Sequence, residues 1–322
     1  MNVILLLVGL ALILFGANYL TDGSAALARR FHLSEFIVGL TIVAIGTSTP
    51  ELVVSVISAL HGSGEMAIGN VTGSNLFNGL LILGTTTLVR PVPLTSDNIK
   101  KDIPLGILAS IVLLVVCCDV LLGSDLRNNI GRDEGIILLL LFVIFIAYTI
   151  FSAKVPENDE MTAEVVEQQK PMPIWLMIVM IVGGLAALVF GGNLFQTSAV
   201  EIARALGVSE SMIAITLLAG GTSLPELAAS VVSALKGKAE MAMGNVLGSN
   251  ISNIFLVLGA SATITPLSLG GITMVDLLTV LGASVLLWIT AFSFKRNKID
   301  RPEAVILILA YFVYIWYMVT HQ

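Results

Sequence analysis

The sequence predicts an all-α membrane protein with ten transmembrane helices, arranged as two inverted five-helix repeats. Three observations carry that reading: charge is scarce, apolar runs are long and unbroken, and one sequence pattern occurs twice. Of 322 residues, 56% are hydrophobic and 12% are charged, whereas a soluble domain carries about 25% charged residues. That charge density cannot coat a water-facing surface, so a soluble globular fold is excluded. Disorder is excluded as well, because it requires low hydrophobicity and high charge. A net charge of -6 without a long basic block argues against a nucleic-acid partner, since binding there rests on Lys and Arg neutralising phosphates.

Lipid admits only helices and closed barrels, which satisfy their own backbone hydrogen bonds. Barrel strands would alternate apolar and polar residues over about ten positions, but this chain has continuous apolar runs instead. Runs of about 20 residues suit helices that cross a core of roughly 30 Å. In order, the candidate spans are 2–21, 36–60, 66–90, 103–122, 134–152, 173–196, 210–235, 241–264, 272–293 and 302–320. The first is read as a retained span and not a cleaved signal peptide, because no basic segment precedes it and further spans follow. Cys117 and Cys118, the only cysteines, are adjacent within an apolar run. They can form neither a disulfide framework nor a thiolate metal site, and are expected to be small lipid-facing or packing residues.

The basic residues set the expected orientation. With the nine loops numbered in order, the odd loops hold 13 Lys and Arg and the even loops hold only Arg127, Arg132 and Arg204. The positive-inside rule then makes the odd loops cytoplasmic, so both termini face outward in the plasma membrane. Residues 153–171 are polar, acidic and proline-bounded, with the composition of a solvated linker. This linker separates a first repeat at 1–152 from a second at 172–322.

The repeat is explicit in the residues. Positions 41–60 read TIVAIGTSTPELVVSVISAL and positions 216–235 read TLLAGGTSLPELAASVVSAL, an offset of 175. The same offset aligns EMAIGNVTGSNLFN (65–78) with EMAMGNVLGSNISN (240–253), and Asn18 with Asn193. A register held over this length indicates internal duplication. Because each unit has an odd number of spans, the second copy enters the membrane from the opposite side. That inverted plan is common in secondary transporters, which bind substrate near the midplane on interrupted helices.

Each copy supplies such an interruption. Pro50 and Pro225 sit in mid-span, where proline removes an amide donor and clashes with the preceding turn. The glycine and hydroxyl residues beside them permit a short unwound stretch, expected to free carbonyls at Ala44, Thr47, Ala219 and Thr222. Glu51 and Glu226 follow directly. A charged residue at the bilayer centre costs at least about 2.5–3.5 kcal/mol and is functional by default, and two facing carboxylates also repel each other. A bound cation or a proton relieves both penalties. The competing structural reading is a capping box, Ser48 with Glu51 and Ser223 with Glu226.

The next span of each repeat adds Asn70, Ser74, Asn75 and Asn78, matched by Asn245, Ser249 and Asn253. Residues 70, 74 and 78 fall on roughly one helical face. Asn70 and Asn245 suit helix adhesion as well as ion contact. Gly69 with Gly73, and Gly244 with Gly248, form small-xxx-small pairs that allow close helix approach. The donor set consists of carboxylate, hydroxyl, amide and carbonyl oxygens, which suits hard cations such as Ca2+ and Na+ more than Zn2+ or Cu2+.

Two copies of G-T-S-x-P-E, each followed by G-N-x-x-G-S-N-x-x-N, resemble the alpha repeats of Na+/Ca2+ exchangers, in particular the prokaryotic branch of the cation/calcium exchanger superfamily. The resemblance covers essentially the whole chain. It implies one Ca2+ site and several Na+ sites in a shared central cluster, used in alternation. Glu51 and Glu226 would bind both ions, and Thr47 and Thr222 would add oxygens to Ca2+. Ser48, Ser223, Ser74, Ser249 and the carbonyls of Ala44 and Ala219 would complete flanking Na+ sites, with Asn78 and Asn253 lining the middle. The helices carrying Asn18 and Asn193 would slide to switch access. Some relatives, K+-dependent members among them, carry Asp where this chain has Asn253, which argues against K+ co-transport.

The expected activity is therefore Na+/Ca2+ antiport by alternating access, with Ca2+ and Na+ as cargo, the bilayer as surroundings and no cofactor. The alternative is a Ca2+/H+ or other divalent-cation antiporter of the same fold. An intramembrane protease is disfavoured, because the two glutamates come from a symmetric duplication without a second catalytic group.

Overall fold

The computed structural model describes residues 2–119, 128–152, 172–207, 220–293 and 297–321. Its helices are α1 (Asn2–Arg30), α2 (Glu35–Thr47), α3 (Thr49–Leu60), α4 (Gly64–Val89), α5 (Ile103–Val116), α6 (Arg132–Phe151), α7 (Ile174–Ala205), α8 (Leu224–Leu235), α9 (Ala239–Ile264), α10 (Met274–Thr290) and α11 (Arg301–His321). Among the described residues, six of them (α1, α4, α6, α7, α9 and α11) are long and apolar enough to cross a membrane, and α2 with α3 makes a seventh, bent by 43°. The molecule is an all-helical, multi-pass membrane protein. The second copy of the bent span is represented by α8 alone, because its first half, with Ala219, lies outside the described residues.

Several boundaries differ from the apolar runs. α1 and α7 continue to Arg30 and Ala205, well beyond 21 and 196. Their extensions contain small residues, such as Ala25, Ala26 and Ala28, that bury against neighbouring helices, so tertiary packing prolongs a helix that hydropathy alone would stop. α5 ends at Val116, short of 122. Cys117 and Cys118 follow it and are buried, so they pack inside the protein and do not face lipid. The acidic linker 153–171 lies outside the described residues.

The layering explains where polar residues are tolerated. In α4 and α9, 72% of the apolar window is buried, against 28% or less in α1, α6, α7 and α11. α4 and α9 therefore form the protein's centre, and the outer helices present Val, Ile, Leu and Phe to lipid. Close contact depends on glycine: a Cβ on Gly244 would run into the Phe36 carbonyl oxygen, and one on Gly248 into that of Leu40. The expected small-residue contact thus forms between α9 and α2. The segment that would pack on Gly69 and Gly73 by symmetry lies outside the described residues.

Two small antiparallel ladders, which no apolar pattern announced, tie the loops together. Val92 pairs with Ile299 and Pro93 with Lys298; Asn129 pairs with Ser268 and Ile130 with Leu267. Loop three therefore meets loop nine, and loop four meets loop eight. Ion pairs from Lys236 to Asp22 (2.8 Å) and from Lys238 to Glu35 likewise join loop seven to the end of α1 and the start of α2. Odd loops meet odd loops and even loops meet even ones.

Candidate functional site: a buried carboxylate pair between the repeats

The break between α2 and α3 is confined to Ser48, after which Pro50 falls in the first turn of α3. The backbone is bent more than unwound. Ala44 O still accepts the Ser48 N–H at 3.0 Å and the Thr47 hydroxyl at 3.3 Å, so the expected release of this carbonyl does not occur, although a carbonyl retains a second lone pair. In the second copy, residues 220–223 form a turn ahead of α8, with Pro225 in its first turn.

Glu51 and Glu226 are both 0% exposed. The serines do not cap their own helices. Each hydroxyl crosses to the other repeat: Ser48 Oγ donates to Glu226 Oε1 at 3.2 Å, and Ser223 Oγ to Glu51 Oε1 at 3.0 Å. The capping box is thus replaced by a reciprocal exchange. Each helix start supplies a neutral hydroxyl donor to one oxygen of the other copy's carboxylate.

The threonines follow the same rule. Thr47 Oγ1 donates to Asn245 Oδ1 at 3.2 Å, and Thr222 Oγ1 to Asn70 Oδ1 at 3.4 Å. Asn70 Nδ2 in turn donates to Glu51 O (3.2 Å) and Ser55 Oγ (3.0 Å). Asn245 Nδ2 repeats this toward Glu226 O (3.4 Å) and Ser230 Oγ (2.9 Å). Asn70 and Asn245 therefore act as struts that hold the backbone of each glutamate and the threonine of the other repeat. Ser55 and Ser230 were not singled out by the sequence reading. They were detectable as residues identical in both copies, one helical turn beyond each glutamate.

Asn78 and Asn253 are fully buried, and each lies at the start of a π-helical stretch, Phe77–Ile82 and Asn253–Leu258. Such wide turns are rare and concentrate at functional sites. Ser74 Oγ donates to Glu51 Oε1 at 3.5 Å. Among the described residues, the unpartnered buried polar atoms include Glu51 Oε2, Glu226 Oε2, both amide atoms of Asn78, Asn253 Oδ1 and Ser249 Oγ, besides hydroxyls at Ser24, Thr86, Thr87, Ser252 and Ser261 and the Asn250 amide oxygen. Buried polar side-chain atoms are normally satisfied, so the unpartnered second oxygen on each of the two buried glutamates leaves acceptor capacity for a ligand. Asn18 and Asn193 are exposed on α1 and α7 and stand apart from the cluster, with Asn18 Nδ2 donating to Leu14 O at 2.8 Å. Ala219 lies outside the described residues.

Among the described residues, no three His, Cys, Asp or Glu side chains come together. The centre offers two carboxylates and a surplus of neutral oxygens. That combination can neutralise one divalent cation, or two monovalent ones, with oxygen ligands.

The comparisons with known proteins agree with this chemistry. The sequence profile described as "Sodium/calcium exchanger protein" matches residues 1–151 and 176–320. The chain is 37% identical to the putative antiporter CaxA of Alkalimonas amylolytica, over 97% of this chain and 96% of that one. It is 30% identical to the sodium/calcium exchanger MaX1 of Methanosarcina acetivorans, over 98% and 97%. The structure of the sodium-calcium exchanger NCX_Mj soaked with 2.5 mM Na+ and 0.1 mM Ca2+ superposes with a TM-score of 0.82 at 30% identity, covering 98% of this chain and 97% of that one. With both halves matched and full-length relatives at these identities, the chain belongs to the sodium/calcium exchanger family: it is a membrane antiporter and not an enzyme.

Proposed function

We propose that this antiporter exchanges Na+ for Ca2+ across the plasma membrane, by alternating access to a mid-membrane site between two inverted five-helix repeats. The observation that carries the reading is the reciprocal bonding of Ser48 to Glu226 and Ser223 to Glu51. It puts both carboxylates at one buried place shared by the two copies, each with one oxygen unpartnered. The odd-with-odd and even-with-even pairing of loops supports ten crossings, with α5, α8 and α10 completing the set. The 13-to-3 distribution of basic residues supports cytoplasmic odd loops and external termini.

Ca2+ would take oxygens from Glu51, Glu226, Thr47 and Thr222. Na+ ions would use Ser48, Ser74, Ser223, Ser249 and the carbonyls of Ala44 and Ala219, with Asn78 and Asn253 between the carboxylates. The hydroxyls that donate to the carboxylates can rotate to offer lone pairs to a cation, so binding needs no new backbone. An empty site leaves two buried charges compensated only by hydroxyls, which disfavours switching while empty and couples the two fluxes. α1 and α7, with Asn18 and Asn193, would slide over this centre to change its access.

The test is 45Ca2+ uptake into Na+-loaded vesicles. Wild-type protein should accumulate Ca2+ only with an outward Na+ gradient, and Glu51→Gln or Glu226→Gln should abolish it. Undiminished uptake in both variants would sink the proposal. The H+-coupled reading draws on the same carboxylates, each of which a proton would neutralise as well as Na+ does. Uptake driven by a pH gradient in Na+-free buffer would favour it.

A further inference from the structure

Most hydrogen bonds at the centre obey the 175-residue repeat, and two that do not involve the residues proposed as cation ligands. Ser48 with Glu226 has its mate in Ser223 with Glu51, and Thr47 with Asn245 in Thr222 with Asn70. Asn75 Nδ2 donates to Asn250 O at 3.2 Å, and Asn250 Nδ2 to Asn75 O at 3.3 Å. These two asparagines clamp α4 to α9 at the point where the repeats exchange. The symmetry then breaks. Asn253 Nδ2 donates to Asn75 Oδ1 at 3.1 Å. The mate of that bond would run from Asn78 Nδ2 to Asn250 Oδ1, and both of those atoms are unpartnered. Ser74 donates to Glu51, while the mate hydroxyl, Ser249 Oγ, is unpartnered.

The consequence for an ion is direct. An amide presents either oxygen or N–H₂, and only oxygen ligates a cation. With Nδ2 held by Asn75, the Asn253 amide is fixed with Oδ1 free and buried. Asn78 has no such anchor, so no hydrogen bond fixes which way its amide faces. Asn75 can hold Oδ1 toward Asn253 because its own Nδ2 is tied to the Asn250 carbonyl. Alternating access moves one repeat or bundle against the other around the site, and the inverted symmetry would let the opposite-facing state exchange the environments of the two halves.

We propose that Asn75 and Asn250 are positioning residues for the ion site, each orienting the facing repeat's amide in one access state. Asn75 orients Asn253 in the state described here, and Asn250 orients Asn78 in the opposite one. Each half-site thus has its amide oxygen set toward the cations in only one orientation of the carrier. The small cavity of about 10 Å³ lined by Gly79, Gly106, Asn250 and Ser284 sits beside the Asn250 amide, where this rearrangement takes place. The inference rests on the exchange reading above.

The experiment measures KM for Ca2+ separately from each face, in right-side-out and inside-out vesicles. Asn75→Ala should raise KM about fivefold at one face only, the loss expected for one amide hydrogen bond, with kcat near wild type. Asn250→Ala should do so at the opposite face only. Both variants lose an equivalent clamp bond, so a purely structural role would alter them alike and without sidedness. Asn253→Leu and Asn78→Leu, close in volume, should show the same opposite sidedness if an alanine variant fails to fold. In an Asn253→Leu background, Asn75→Ala should add no further rise. Equal effects at both faces, effects of the two alanine variants at the same face, or no rise in KM overturn the proposal. Absence of Na+-driven uptake in wild type overturns the exchange reading instead, and the sided comparison then runs on whichever cation gradient drives Ca2+.

Discussion

At the residue scale, the site is an exchange of donors between duplicates. Ser48 and Ser223 each serve the glutamate of the other copy, so removing the Ser48 hydroxyl leaves Glu226 Oε1 without its donor, and removing that of Ser223 leaves Glu51 Oε1 with only the long bond from Ser74. Ser48→Ala and Ser223→Ala should each raise KM for Ca2+ by about five- to tenfold in vesicle flux, the range for a hydrogen bond to a charged group. Glu226→Gln should keep the fold, and its melting temperature in Ca2+-free detergent should equal or exceed that of wild type, because a buried charge costs more than a buried amide. Added Ca2+ should raise the melting temperature of wild type but not of this variant, since only ligand bound to the folded state stabilises it. The sequence disclosed these glutamates, prolines and serines, because intramembrane charge and a doubled motif are rare. It did not disclose what each serine bonds, since local capping and cross-repeat bonding use the same residues.

At the scale of elements, helices of different character meet at the centre. α4 and α9 are mostly buried and carry amides and hydroxyls, while α1, α6, α7 and α11 are lipid-facing. The packing of α9 on α2 depends on the absence of a side chain at Gly244 and Gly248. Gly244→Val should cost about 1–3 kcal/mol, because backbone stands in the way and cannot yield as a side chain can. A lowered melting temperature in detergent would show it. Pro50 lies just after the bend between α2 and α3. Pro50→Ala restores an amide donor that favours a straight helix, so the variant should melt no lower than wild type. Its KM for Ca2+ should nevertheless rise at least tenfold, about 1.4 kcal/mol, as Ser48 and Glu51 shift apart. Apolar runs located these helices but misjudged the ends of α1, α5 and α7. Hydropathy reports affinity for lipid, whereas alanine favours the helix wherever it lies, so α1 and α7 run on past the apolar run.

At the scale of the whole molecule, inverted duplication and loop pairing fix which ends lie together. Ser96, in loop three, and Ser268, in loop eight, are exposed and belong to loops of opposite parity. In a background where Cys117 and Cys118 are replaced, Ser96→Cys should react with a membrane-impermeant maleimide from the cytoplasmic face only, and Ser268→Cys from the outside only. Labelling of both from one face would contradict the inverted topology. By itself the sequence determined residence in the membrane, the duplication and its register, and the oxygen-only donor set around Glu51 and Glu226, because composition, periodicity and residue type are written along the chain. Tertiary structure decided which copy's hydroxyl serves which carboxylate, that Asn70 and Asn245 brace the glutamate backbones, and that Asn75 orients Asn253 while Asn250 leaves Asn78 free. The cross-repeat choices depend on distances between residues some 150–180 positions apart, and the braces join neighbouring helices across 19 positions. A symmetric pair of motifs cannot disclose them, because the sequence is nearly the same in both copies and only the folded chain breaks the tie.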